Sequence, residues 1–183
     1  MNRTGNLGLF GISAGTIENV VMTNVRIAGF NFVGGLVGTN NGLVQNSSSS
    51  GFVTQGGDGI QVGGLVGQNN GQITGSASTV AIRGNSVVGG LVGENSSGAT
   101  ITASSSTGLV TGIPGGGGGG ANSIGGLVGE NDGTVQSSSS ASIVAADPLS
   151  SDVGGLVGLN NNIVQTSFSA GTVTGETQVG GLV

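Results

Sequence analysis

The chain has 183 residues, a formal net charge of −5 and three cationic side chains, Arg3, Arg26 and Arg83. It therefore lacks the basic stripe that nucleic acid or an anionic membrane surface requires. Cys, His, Lys, Trp and Tyr are absent, which excludes disulfides and thiolate or imidazole metal sites and leaves the many serines without an ordinary base to activate them.

From the N-terminus, Leu7-Gly8-Leu9-Phe10-Gly11 is a degenerate copy of a segment that then recurs as Val33-Gly34-Gly35-Leu36-Val37-Gly38. It returns at Gly63 to Gly67, Gly89 to Gly93, Gly125 to Gly129 and Gly154 to Gly158, and begins again at Gly180. The intervals of 29, 26, 36, 29 and 26 residues mark a repeat architecture, whose units bury their apolar faces by stacking on one another.

Each unit carries three short apolar patches. The first is the glycine-rich segment itself. The second is centred on Ile17, Val44, Ile73, Ile101, Val135 and Val164, with Ile101 displaced by an insertion at Ser96 to Gly98. The third is centred on Val53, Ile82, Val110, Val144 and Val173, each nine residues after its partner in the second patch. Length varies mainly between the third patch and the next Gly-Gly, where Pro114, Pro148 and the run Gly115 to Gly120 fall. Fixed lengths mark a scaffold and the variable corner marks surface loops. A phosphate-cradling role for the glycine run is excluded by the lack of a following helix pattern and of Lys.

Short β-branched patches bounded by Gly, Asn and Ser read as strands, and no segment sustains a helical period. The fold expected is all-β, a right-handed parallel β-solenoid of about six coils with three short strands each. Strands stacked ~4.8 Å apart make it a rod of about 30 Å. Residues 1–183 read as one continuous array, expected to be a piece of a longer one. No apolar run of about 18 residues is present, so no helical membrane insertion is expected. Met1 to Gly5 leads into no signal-peptide core, so any secretion address is expected outside this stretch.

The paired serines Ser47/Ser49, Ser76/Ser78, Ser104/Ser106, Ser138/Ser140 and Ser167/Ser169 align with Val20 and Met22 of the first unit, which predicts that they point inward. Between them, Ser48, Ala77, Ser105, Ser139 and Phe168 form an outward column, and Ser48, Ser105, Ser139 and Phe168 are the candidate binding face. Asn40, Asn69, Asn95, Asn131 and Asn160 follow the glycine segments as a column of corner residues, read as a structural amide ladder.

The pattern Gly-Gly-Leu-Val-Gly-x-Asn-x-Gly-x-Val-x-x-Ser-x-Ser-x-Gly-x-Val-x-Gly resembles the GLUG repeat, over residues 7 to 183. The resemblance implies repeat regions of large bacterial cell-surface or secreted proteins, including filamentous-haemagglutinin-like adhesins and some immunoglobulin A peptidases, in which these segments lie outside the catalytic domain. It implies an extracellular or cell-surface location and no catalytic residues. The chain departs from the family between the paired serines, where the often aromatic position is mostly Ser and only Phe168 keeps a ring.

Glu94, Glu130 and Asp132 lie beside the asparagine column, but three carboxylates fall short of the about six to eight oxygens calcium takes. Asp58, Asp147, Asp152 and Glu176 show no spacing that selects a glycosidase pair. No cofactor, metal or catalytic site is expected. The reading is a non-catalytic structural or adhesive domain, a rigid stalk displaying loops to a host surface protein or glycan. The alternatives are an ice- or carbohydrate-binding face on the outward serine column, and a unit that self-associates end to end into filaments.

Overall fold

In the computed structural model, which describes residues 5–57, 59–114 and 122–183, the apolar patches form 27 strands and, among the described residues, no helix. The ladders are parallel and pair each strand with its counterpart one repeat on: Val44 faces Ile73, and Ile73 faces Ile101. The chain is an all-β parallel solenoid of about six turns.

The three patches map onto four sheets rather than three. The glycine-rich patch divides, because Gly35 and Leu36 leave the strand path between Val33–Gly34 and Val37–Asn40. The bend sends neighbouring valines to different places: Val33 packs in one apolar cluster and Val37 in another. A Gly-Gly sheet thus runs from Val33–Gly34 to Val179–Gly180, and an asparagine sheet from Phe10–Ser13 to Val157–Asn160. A corner sheet runs from Thr16–Glu18 to Ile163–Gln165 and holds the second patch.

The fourth, wide sheet takes the second serine of each pair together with the third patch. Its strands are long in the early coils, as in Ser48–Gln55 and Ala77–Gly84, and later break into two pieces such as Ser105–Ser106 and Leu109–Gly112. The break falls at Gly108, Ser142 and Gly171, in the column that Val80 fills with a buried β-branched side chain and that Gly51 occupies in the unbroken Ser48–Gln55. In the first coil a bulge between Met22 and Val25 inserts one residue, so Ile27 rather than Arg26 pairs with Val53. That extra residue hides the third patch of the first unit from a spacing rule.

The core is two apolar strips with a polar waist between them. One strip holds Leu36, Leu65, Leu91, Leu127 and Leu156 with the second-patch residues, and the other holds Val62, Val88, Ile124 and Val153 with the third-patch residues. At the waist the second glycine of each pair meets the second serine: Ser49 Oγ donates to Gly64 O at 2.8 Å and Ser106 Oγ to Gly126 O at 2.5 Å. A β-carbon on Gly90 would overlap the Gly126 carbonyl of the next coil and press on Ser106 Cβ. Glycine is required here by close approach of backbone.

Candidate functional site

The asparagine column forms an unbroken amide ladder. Asn40 Nδ2 donates to Asn69 Oδ1, Asn69 to Asn95 and Asn95 to Asn131, each at 2.8 Å, and Asn131 donates to Asn160 at 2.7 Å. Asn40, Asn69, Asn95 and Asn131 are fully buried. Each amide also serves its own turn: Gly42 N donates to Asn40 Oδ1 at 3.2 Å, and Asn40 Nδ2 donates to Gly42 O at 3.2 Å. Buried amides need such partners, and here the partners are the equivalent groups of adjacent coils.

The first serine of each pair forms a second ladder. Its hydroxyl donates to the carbonyl two residues back, as Ser76 Oγ to Thr74 O, and accepts from the serine N–H of the preceding coil, as Ser47 N to Ser76 Oγ and Ser76 N to Ser104 Oγ. The residue just before it turns the corner in the left-handed region: Asn19, Asn46, Gly75, Ala103, Ser137 and Thr166 all have φ between 48° and 58°. Only the first three are residue types that favour this conformation, so sequence alone signals half of these corners.

Ser48, Ala77, Ser105, Ser139 and Phe168 stand in register on the outer face of the wide sheet. The first four are half-buried and Phe168 is 61% exposed. The column begins with Val21, 69% exposed, so the hydroxyl row is bounded by apolar side chains at both ends and interrupted by Ala77. On the same sheet the bulge opens a shallow hollow of about 220 Å³ lined by Asn24, Val25, Arg26, Gly51 and Phe52.

Glu94 and Glu130 face each other in register on adjacent strands of the asparagine sheet. Glu94 accepts from Ser96 Oγ at 2.9 Å and from Gln61 Nε2, while Asn161 Nδ2 donates to Asp132 Oδ1 at 2.8 Å. Burial, and after it the carboxylates of Asp132, Glu94 and Asp152, holds the Glu130 carboxyl above the ordinary glutamate value. No group of three or more acidic or other ligating side chains among the described residues is arranged to hold a metal ion. Asp147 Oδ1 accepts from Leu149 N at 3.0 Å, a turn role. Asp58 and Gly115 to Gly120 lie outside the described residues.

The variable loops occupy one corner, between the wide sheet and the Gly-Gly sheet. Gln55, buried in that corner, anchors two of them: its Nε2 donates to Phe30 O at 3.2 Å and its Oε1 accepts from Asn85 N at 3.2 Å. Sequence reasoning does not single out Gln55, because it is the one glutamine in a column held by Gly29, Gly84 and Gly112 in other coils.

The family described as the GLUG motif matches residues 58–83, one coil of the array. Fold and match together define the class, a β-solenoid repeat domain that matches the GLUG motif in one of its coils. Over 52 residues, 28% of its length, the chain is 48% identical to Halomucin of Haloquadratum walsbyi (strain DSM 16790 / HBSQ001). It spans 1% of the length of that relative. Haloquadratum walsbyi is archaeal, so this likeness does not carry the bacterial source that the resemblance implies. No solved structure matches the chain.

Proposed function

We propose that this chain is a non-catalytic spacer of a cell-surface or secreted protein, a stiff rod that holds its one variable corner away from its anchor and presents the loops there to a partner. The observation that carries this reading is the separation of roles around each coil. Three corners are fixed by repeating hydrogen bonds and core contacts, and nearly all length variation sits at the fourth. The likeness to part of Halomucin supports an extracellular setting, and a host surface protein or glycan is the partner class the loops would meet.

Stiffness follows from the ladders: bending the rod must stretch the amide column, the serine column and four sheets together. Small-angle scattering should give the maximum dimension and cross-section of a straight rod whose length grows linearly as coils are duplicated. An ensemble of bent shapes in solution would end the stalk reading. A peptide inserted between Ile113 and Ser123 should leave the melting midpoint nearly unchanged, whereas the same peptide inserted between Val135 and Ser138 should abolish folding.

A further inference from the structure

We propose that Asn41 and Asn70 are the chain's sites of spontaneous deamidation, and that the buried asparagine ladder holds that reaction in check at each corner. The sequence contains two Asn-Gly steps, Asn41-Gly42 and Asn70-Gly71, and both asparagines are exposed at the turn between the asparagine sheet and the corner sheet. At such a step the deprotonated glycine nitrogen attacks the asparagine Cγ and ammonia leaves. Water then opens the resulting succinimide to aspartate or isoaspartate. A following glycine favours this because it places no β-carbon in the way.

The fold withholds what the reaction needs. The attacking nitrogen must lose its proton, yet Gly42 N donates to Asn40 Oδ1 at 3.2 Å and Gly71 N donates to Asn69 Oδ1 at 3.3 Å, both acceptors being fully buried. Attack also requires rotation about the backbone, and the flanking residues are pinned to the preceding coil. Asn70 N donates to Asn40 O at 2.7 Å, and Gln72 N donates to Gly42 O at 2.8 Å. The side chains are held too, since Asn70 Nδ2 donates to Asn41 Oδ1 at 2.8 Å.

That last bond makes the two sites unequal. Asn41 is the acceptor, and a carboxylate can replace it: Asp132, at the same corner position in a later coil, accepts from Asn161 Nδ2 at the same 2.8 Å. Asn70 is the donor, so an aspartate there sets oxygen against oxygen. Isoaspartate at either site would add a methylene to the backbone and break the register of the corner.

The purified chain is incubated at mildly alkaline pH, folded and in urea, and both sites are followed by peptide mapping that separates aspartate from isoaspartate. Both should convert at least about tenfold more slowly folded than in urea, a factor equivalent to about 1.4 kcal/mol of local opening. In Asn40→Ala, Asn41 should convert faster while Asn70, guarded by Asn69, stays slow. Equal rates folded and in urea would overturn the proposal, as would equal acceleration of both sites in the variant. Asn70→Asp should lower the melting midpoint and Asn41→Asp should leave it in place, and the reverse order would overturn the assigned donor and acceptor.

Discussion

Asn69 Nδ2 donates to Asn95 Oδ1 at 2.8 Å across 26 residues of sequence, and the same bond repeats on either side of it. Asn95→Ala should therefore destabilise the array by about 1–3 kcal/mol, the usual cost of leaving a buried polar group without its partner. Asn95→Asp should be worse at neutral pH, because a buried carboxylate oxygen would face Asn131 Oδ1 where an N–H now donates. Urea unfolding gives both values, and acid should narrow the difference between them as the aspartate regains a proton. Equal midpoints for the two variants at neutral pH would contradict the donor assignment.

The left-handed corner predicts stabilising changes. Ala103 and Thr166 adopt φ of 50° and 53° on exposed corners, where residues other than Gly and Asn are penalised by about 1–2 kcal/mol. Ala103→Asn and Thr166→Asn should each raise stability by up to about 1 kcal/mol, since Asn visits this region readily. Gly75→Ala should do the opposite, and thermal melts of the three variants test the set.

Gly90→Ala places a methyl group against the Gly126 carbonyl and the Ser106 side chain. The neighbour is backbone held in a ladder, so the loss should reach or exceed the about 1–3 kcal/mol of core over-packing. Gly15→Ala, where the β-carbon meets nothing within 4 Å, is the control. It should be neutral or slightly stabilising through a less flexible unfolded chain, and a similar loss at both positions would refute the close-approach account.

Glu130 gives the stability a pH dependence with a defined sign. Its carboxyl is raised in the folded state, so the folded chain holds the proton more tightly than the unfolded chain does. Its contribution is fully present below the unfolded glutamate value and is lost as pH climbs from there through the raised folded value. Below the unfolded glutamate value both states are protonated, and the contribution to the slope vanishes. Glu130→Gln should stabilise the array at neutral pH and flatten the acid-side rise of the melting midpoint.

Much of the architecture was legible in one dimension. Val44, Ile73 and Ile101 recur with fixed neighbours, and a parallel ladder pairs like with like, so a repeated sequence announces its own register. The inward serines were legible for the same reason, through Val20 and Met22 of the first unit. The split of the glycine-rich patch at Gly35-Leu36 was not, because consecutive glycines carry no side-chain alternation that tells a strand from a bend. Nor was the bulge at Asn24, which breaks the nine-residue spacing in one coil.

By itself the sequence determined which residues stack: identity at repeated positions fixes the columns, since only coils in register place Asn on Asn and Val on Val. Tertiary structure decided what each column does. The distance between glycine backbone and serine hydroxyl at the waist, the direction of the amide ladder and the meeting of Glu94 with Gln61 depend on how the coil closes on itself. Closure is set by the packing of two apolar strips across the interior, a relation between residues far apart in the chain that no local pattern encodes.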